Sequence, residues 1–242
     1  MSNVRNRMVA VLAVLASCIA TGAAQAADGA AAIQPFNGKD LDAWQCKGDV
    51  APDKANWKVG IAKFDPARPG GLAVEPAPEG KGEMVCTGHG RDIYTKQKFG
   101  DCTICVEVMV PKGSNSGIYL MGNYEIQVLD SFGRKDVGSG DMGGIYGNTA
   151  PKVNASKAPG EWQQFVIEFQ APKFDAAGKK TAKAKIVKAM LNGQVIHENV
   201  EIPGCTGGAL GKEAATGPLM FQGDHGPIAY RDIKIVPAGA AK

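Results

Sequence analysis

The stretch AKIVKAMLNGQVIHENVE, residues 184–201, decides the fold class of this chain. Its two halves, 184–191 and 194–201, are rich in β-branched and apolar residues that alternate imperfectly with polar ones. Between them stands Asn192-Gly193, and Asn-Gly accepts the positive φ angles of a two-residue hairpin turn. The stretch therefore predicts two antiparallel strands joined by a tight turn.

The same short-strand pattern recurs along the chain, between turns supplied by 32 glycines and 14 prolines. Ten further strands are predicted: Trp57 to Ile61, Gly71 to Val74, Glu83 to Cys86, Asp92 to Thr95, Cys102 to Val110, Gly117 to Met121, Tyr124 to Leu129, Gln163 to Gln170, Leu219 to Gln222 and Ala229 to Val236. The polar segment from Phe174 to Lys183 is predicted to be a long exposed hairpin loop. Twelve short strands without intervening helices predict an all-β sandwich of two antiparallel sheets.

Residues 1–26 have the pattern of a secretory signal peptide. The basic segment MSNVRNR precedes an apolar run from Met8 to Ala20, and Ala24-Gln25-Ala26 provides the small residues of a cleavage site. The run is about 13 residues long, whereas a membrane helix needs about 20. We therefore expect an exported protein, periplasmic or secreted. The segment Leu15-Ala16-Ser17-Cys18 also fits a lipoprotein processing box, so a membrane anchor at Cys18 is the alternative.

The predicted organisation after the signal is simple. Residues 27–32 form a small-residue linker, residues 33–237 a single domain, and residues 238–242 a flexible tail. Cleavage removes Arg5 and Arg7 and no acidic residue, which leaves a net charge near +1. Such a balanced surface argues against nucleic acid or an anionic membrane as a partner.

Five cysteines follow the predicted cleavage site. They are Cys46, Cys86, Cys102, Cys105 and Cys205. In an oxidising compartment this count predicts one or two disulfides, with at least one thiol left over. Cys102 and Cys105 spell C-x-x-C inside a predicted strand, where residues three apart point to opposite faces. A shared metal or a redox pair is therefore not expected there.

Gly138 to Gly143 spell GxGxxG, the dinucleotide-binding fingerprint. That fingerprint works where a strand leads in and a helix leads out, because the helix N-terminus meets the pyrophosphate. Here the exit is GIYGNTAPKVN, which contains a proline and has no helical period. We expect no nucleotide cofactor, and a loop that turns sharply or passes close to a ligand.

The strand from Tyr124 to Asp130 is the main candidate for chemistry. Glu125 and Gln127 are two apart and project from one face, while the intervening apolar residues take the other. Strict alternation puts Asp130 on the opposite face, but a bulge after Val128 would return it to the polar face. Two carboxylates and an amide on one face suit acid–base chemistry on a sugar. The competing interpretation is a solvated face with a capping aspartate.

A second polar cluster is the loop Gln222-Gly223-Asp224-His225-Gly226-Pro227, which Tyr230 and Arg231 follow. A histidine in a glycine-flanked loop can serve as a base, a metal ligand or a hydrogen-bond donor. The alternative is a turn held by its Asp and His side chains. His197 lies inside a predicted strand and is expected to be structural, whereas the role of His89 stays undecided.

Taken in order, these segments resemble the 3-keto-disaccharide hydrolase family, whose members are also described as 3-keto-glucoside 1,2-lyases and 3-keto-2-hydroxy-glucal hydratases. The matching pieces are FNGKDLDAW, GEMVCT, GSNSGIYL, YEIQVLD, GGIYG with Pro151, GEWQQFVI, LNGQVI and GPLMFQGDHGPIAYRDIKI, which together span nearly the whole mature chain. The resemblance implies a concanavalin A-like jelly-roll sandwich. It also implies cleavage of a 3-keto-glycoside by β-elimination, with hydration of the resulting enone giving net hydrolysis.

The resemblance implies the following roles. Either His225 or Glu125 is the base, and Glu125 with Asp130 binds the sugar hydroxyls or a divalent cation. The residues implied to position a small-molecule or oligosaccharide substrate are Asn115, Gln127, Tyr146, Gln222 and Arg231. Two alternatives stay open: a laminarinase-like retaining glycosidase, which needs two carboxyl groups about 5 to 5.5 Å apart, and a sugar-binding module without catalysis.

Overall fold

The computed structural model describes residues 31–239. The predicted signal peptide, Cys18, most of the linker and the end of the tail lie outside these residues. Strands dominate the described part, where one short 3-10 turn, Pro52–Ala55, precedes the second strand. The strands are β1 (Trp44–Cys46), β2 (Trp57–Phe64), β3 (Leu72–Glu75), β4 (Glu83–Cys86), β5 (Ile93–Thr95), β6 (Cys102–Met109), β7 (Asn115–Leu120), β8 (Tyr124–Leu129), β9 (Trp162–Gln170), β10 (Lys173–Phe174), β11 (Lys180–Ala182), β12 (Ala184–Leu191), β13 (Gln194–Ile202), β14 (Met220–Phe221) and β15 (Ile228–Pro237).

Two antiparallel sheets form the predicted sandwich, a jelly-roll arrangement. One has eight strands in the order β13-β12-β9-β6-β15-β4-β2-β3, and the other has five in the order β1-β5-β14-β7-β8. The neighbours in each sheet are mostly distant in sequence, so long connections carry the chain from one sheet to the other. The fold class predicted from the strand pattern is confirmed.

The hairpin β12–β13 confirms the stretch that decided the fold class. Leu191 pairs with Gln194 across the turn, and Asn192 and Gly193 have φ angles of 50° and 81°. Both residues adopt the left-handed region that a two-residue hairpin turn requires.

Three strands escaped prediction, because segments of two or three residues are too short to show an alternation. They are β1, β10 and β11. Strands β10 and β11 pair with each other and form a separate two-stranded ribbon. The segment 174–183, predicted to be a long exposed loop, therefore contains a short antiparallel ladder.

The core lies between the sheets and is centred on aromatic side chains. Phe221 stacks on Tyr230 with ring centroids 3.9 Å apart, and on its other side it meets Trp44 at 5.4 Å. Trp57 packs against Tyr230 at 6.4 Å. These residues come from both sheets, so the aromatic stack joins the two layers of the sandwich.

The cysteines of the described residues are all free thiols, so the expectation of one or two disulfides is wrong here. A disulfide needs Cα atoms within about 7 Å and converging Cβ directions, and a count of cysteines establishes neither. On β6, Cys102 is buried in the core whereas Cys105 is partly exposed. This confirms that the C-x-x-C pair points to opposite faces.

The connection from β8 to β9 carries the GxGxxG segment and contains turns but no helix. It runs close along the edge of β8, where the Gly143 N–H donates to the Gln127 carbonyl at 2.8 Å and the Gln127 N–H donates to the Gly144 carbonyl at 2.8 Å. The helical exit of a dinucleotide fingerprint is therefore missing. None of the helical turns between residues 31 and 239 is long and apolar enough to cross a bilayer.

Candidate functional site

The outer face of the five-stranded sheet carries a group of polar side chains. Residues that pair across an antiparallel ladder share a face, and Ile118, Ile126 and Phe221 all point into the core. Their sequence neighbours therefore point outward. Two adjacent rows follow from the register: Tyr94, Met220, Tyr119 and Glu125 in one, and Asp92, Gln222, Gly117 and Gln127 in the next.

Glu125 is the most deeply placed acid of this face, since only 2% of it is exposed. Its carboxyl group lies over Gly117, where a Cβ atom added to the glycine would be 2.3 Å from Glu125 Oε1. No side chain larger than hydrogen fits at position 117 while the carboxyl keeps this place. Gly117 thus gives the carboxyl group room to lean from its own row toward the row of Gln222.

The pKa of Glu125 is raised from 4.5 to about 7. Burial is the largest cause, since it disfavours the charged form. The side chains of Tyr119 and His225 lower the pKa, and the charges of Asp92 and Asp224 raise it further. A carboxyl group that titrates near neutral pH is suited to take up and release protons in catalysis.

The segment 204–213 packs against the β7–β8 hairpin that carries Glu125. Thr206 Oγ1 accepts the backbone N–H of Glu125 at 2.9 Å, and the Tyr119 hydroxyl donates to the Gly207 carbonyl at 2.9 Å. Leu210 N–H donates to the Gly122 carbonyl at 2.8 Å. These bonds hold the segment against the β7–β8 hairpin next to Glu125.

The loop from Gln222 to Pro227 borders the site on the other side. His225 Nδ1 makes a short hydrogen bond with the carboxylate of Asp224, and both side chains are about half exposed. The loop is tied down by Ser114, whose hydroxyl donates to the Pro227 carbonyl at 2.5 Å. The structure thus brings His225 to the neighbourhood of Glu125, as the predicted site requires.

The predicted amide residues also lie on this face. Gln127 Nε2 donates to Asn115 Oδ1 at 2.6 Å, which orients both side chains. Gln222 Oε1 is buried and has no hydrogen-bond partner within the part of the chain that the structure describes. Tyr146 donates its backbone N–H to the Glu125 carbonyl at 3.1 Å, and the residue is 43% exposed. These side chains surround Glu125 with donors and acceptors of the kind that bind sugar hydroxyls.

Asp130 does not join them, and the predicted bulge after Val128 is wrong. The pairing of β7 with β8 is regular up to Asn115 and Leu129, so alternation leaves Asp130 on the other side of the strand from Glu125. Its carboxylate accepts the backbone N–H of Gly113 at 2.9 Å. Asp130 therefore fits the competing interpretation, an aspartate that caps the end of a strand.

Arg231 is also placed away from the site. On β15, Tyr230 points into the core, so Arg231 points to the outer face of the eight-stranded sheet, on the far side of the sandwich. There its guanidinium contacts Glu107 at 2.8 Å and Glu83 at 3.3 Å. It also lies 4.0 Å above the ring of Trp162. The prediction that Arg231 positions substrate is therefore wrong, because alternation along β15 puts its side chain on the outer face of the other sheet.

Sequence reasoning missed three residues of the site. Asp92 is 7% exposed, and its Oδ1 accepts the Gly223 N–H at 3.3 Å. Lys47 Nζ lies 3.6 Å from Asp92 Oδ2, and Tyr119 stands beside Glu125 in the same row. The signal for Asp92 was present in the sequence, because an acid next to the buried Ile93 must alternate to the outer face.

The remaining histidines differ in environment. His197 is 1% exposed, and its Nε2 is 2.7 Å from the Gly143 carbonyl oxygen, which confirms it as structural. His89 is exposed with a φ of 50°. It lies in the loop that leads to Asp92, and its carbonyl accepts from Asn56.

The proposed cation pair, Glu125 and Asp130, does not fit a metal site, since the two carboxylates lie on different sides of β8 and Asp130 is engaged by the Gly113 turn. Between residues 31 and 239 no three His, Cys, Asp or Glu side chains cluster in a geometry suited to a cation.

Comparison with known proteins decides the family. The family model of the 3-keto-alpha-glucoside-1,2-lyase-like domain matches residues 31–236, which is nearly all of the described chain. The chain belongs to this family. It is therefore built on a carbohydrate-active enzyme domain, as its sequence motifs implied. Among curated proteins no sequence matches it.

Several solved structures are similar to this family member, and three come from Parabacteroides distasonis. A candidate glycosyl hydrolase of that organism is 32% identical, with a TM-score of 0.66 over 85% of this chain and 83% of that one. A second is 19% identical, with a TM-score of 0.57 over 85% and 93% of the two chains. A third is also 19% identical, with a TM-score of 0.53 over 84% and 98%. The last two show the shared fold alone.

Proposed function

We propose that this family member cleaves 3-keto-glycosides by β-elimination, with hydration of the enone product giving net hydrolysis. The observation that carries the proposal is the Glu125 carboxyl group, buried over Gly117 with a pKa of about 7. The family to which the chain belongs supports the same reaction. So does the description of its 32% identical relative as a candidate glycosyl hydrolase.

The chemistry needs a base of this kind. A ketone at carbon 3 makes the proton on carbon 2 acidic, so a carboxylate can remove it. The carbon 1 substituent then leaves from the β position, and an enone forms. General-base catalysis contributes about 100- to 10,000-fold, and it is most effective when the pKa of the base is near the working pH.

His225 takes a different role in this proposal, because its ring is half exposed and its Nδ1 is held by Asp224. In the imidazolium form, in which Nδ1–H donates to the Asp224 carboxylate, the Nε2–H donates a hydrogen bond to the ketone oxygen, where negative charge develops. Asn115, Gln127, Gln222 and Tyr146 bind the sugar hydroxyls around it.

The two alternative functions make different demands on the site. A laminarinase-like retaining glycosidase needs a second carboxyl group about 5 to 5.5 Å from the first. The residues that follow Glu125 on the same face of β8 are Gln127 and Leu129, neither of which is an acid. A sugar-binding module needs exposed aromatic rings, and Phe132 and Tyr146 are exposed; it does not need a buried titrating acid.

The experiment incubates the purified protein with a 3-keto-glucoside and with its parent glucoside, each with and without EDTA. We expect the enone, seen by its ultraviolet absorbance and by NMR, from the keto-glucoside alone. Turnover of the parent sugar alone would contradict the proposal, and affinity without turnover would favour the binding module. Loss of turnover in EDTA that an added divalent cation restores would assign a metal to the reaction.

Glu125→Gln and Glu161→Gln form a matched pair for this assay, since Glu161 is an exposed residue of the β8–β9 connection. We expect Glu125→Gln to lose about 100-fold or more in kcat/KM, and Glu161→Gln to keep the wild-type value. Equal activities of the two variants would remove Glu125 as the base.

We also propose export to the periplasm or the medium, on the basis of residues 1–26. Fractionation of cells that express the full chain, followed by N-terminal sequencing, tests this. A mature N-terminus at Ala27 is expected, and an acylated Cys18 would establish the anchored alternative.

A further inference from the structure

A second buried acid faces the site from two strands away. Asp92 directly precedes β5 and shares its row with Gln222 of the loop after β14 and Gly117 of β7. Because neighbouring strands are about 4.8 Å apart, Asp92 and Gly117 are separated by about 10 Å of sheet. The Glu125 carboxyl group lies above Gly117, so the two acids stand on either side of Gln222.

Gln222, the residue between the two acids, has an unpaired polar atom of the kind that a ligand can bind. Gln222 Oε1 is buried and finds no hydrogen-bond partner among residues 31–239. A buried acceptor of this kind destabilises the protein when nothing donates to it. A sugar hydroxyl lying across the row of Asp92 and Gln222 would supply the donor. A substrate that satisfies this oxygen therefore lies between the two carboxyl groups.

We propose that Asp92 is a second catalytic carboxyl group, which donates a proton to the departing carbon 1 oxygen while Glu125 removes the proton from carbon 2. This inference rests on the proposed function and extends it with an acid that no sequence motif indicated.

The protons and electrons balance between the two acids. The Glu125 carboxylate takes the carbon 2 proton, the electron pair of that C–H bond forms the carbon 1–carbon 2 double bond, and the bond from carbon 1 to the leaving oxygen breaks. That oxygen takes the proton of Asp92. Glu125 is then protonated and Asp92 ionised, which is the state that hydration needs. The Asp92 carboxylate accepts a proton from a water molecule as the oxygen of that water adds to carbon 1. Glu125 then returns its proton to carbon 2.

The surroundings of Asp92 suit this cycle. Burial and then the charge of Asp224 raise its pKa, which favours the protonated acid needed for the first step. The Gly223 N–H at 3.3 Å and Lys47 Nζ at 3.6 Å lower the pKa of Asp92. They would stabilise the carboxylate that remains after it has donated its proton.

The test compares leaving groups in the variant Asp92→Asn. One substrate is a 3-keto-glucoside of a sugar or methanol, whose alkoxide needs a proton to leave. The other is the 4-nitrophenyl 3-keto-glucoside, whose phenolate leaves without one. We expect Asp92→Asn to lose about 100-fold or more in kcat/KM on the first substrate and less than about threefold on the second. Glu125→Gln should lose activity on both.

The controls separate the possible failures. Asp42→Asn, an exposed aspartate before β1, should match the wild type on both substrates. Equal losses on the two substrates, or no loss on either, would overturn the role of Asp92 while the function stands. A wild type inactive on both keto-glucosides would overturn the function and the role together. If Asp92→Asn does not fold, Asp92→Ser removes the same carboxyl group, and nitrophenyl turnover reports that it is folded.

Discussion

The buried carboxyl group of Glu125 should make this protein less stable as the pH rises. In the unfolded chain its pKa is near 4.5, and in the folded protein it is about 7. The folded state therefore holds the proton over a pH range in which the unfolded chain has lost it. The rise of the pKa from 4.5 to about 7 corresponds to about 3 kcal/mol of folding free energy, because a shift of one pKa unit corresponds to about 1.36 kcal/mol.

This stabilisation is complete below about pH 4.5 and lost as the pH rises through 7. The variant Glu125→Gln has no proton to lose at this position. The free energy of unfolding of Glu125→Gln minus that of the wild type should therefore increase by about 3 kcal/mol from pH 4.5 to pH 8.5. A constant cost of burying the amide shifts the whole curve and leaves this difference unchanged.

Urea unfolding of both proteins at half-unit pH steps measures the effect. Glu161→Gln, at an exposed position, should follow the wild type at every pH. A difference between Glu125→Gln and the wild type that changes by less than about 1 kcal/mol over this range would show that the folded-state pKa is ordinary. That result would also remove the physical reason for assigning the base to Glu125.

Three further predictions concern activity. The value of kcat/KM on the 4-nitrophenyl 3-keto-glucoside, whose leaving group needs no proton from Asp92, should rise about tenfold per pH unit below 7 and level off above it, because Glu125 must be ionised to act; a profile flat from pH 5 to 8 would contradict this. Gly117→Ala should lower kcat/KM by about 10-fold or more, since the new Cβ would displace the Glu125 carboxyl group. Gly140→Ala, at a position with open space around it, is its control, and similar rates for the two would show that the carboxyl is not fixed there. Arg231→Ala should lower the free energy of unfolding by about 1 to 3 kcal/mol through loss of its contacts with Glu83 and Glu107, with kcat/KM unchanged; a large loss of activity in the folded variant would return Arg231 to the site.

Alternation along a strand was the source of most correct predictions and of two corrections. It placed Glu125 and Gln127 on one face, as the structure has them. The same rule puts Asp130 and Arg231 on the wrong faces for the site. Asp130 was assigned to it through an assumed bulge after Val128, and Arg231 through the family resemblance.

Neighbours in a sheet could not be predicted from the strand pattern. Strand β14 lies between β5 and β7, although more than 90 residues separate β7 from β14. This arrangement brings Asp92 and Gln222 beside Gly117. Local sequence does not encode such contacts, because they depend on which of many similar strands pair over long distances in the chain.

The sequence by itself determined most of the strands, the Asn192-Gly193 turn and the face that Glu125 occupies, since each depends on residues within a few positions of one another. Only the tertiary structure decided what surrounds Glu125. The segment 204–213 that packs against its hairpin and the second acid at Asp92 come from distant parts of the chain. Burial by these parts raises the pKa of one glutamate to about 7, because desolvation depends on everything packed around a group rather than on its sequence neighbours.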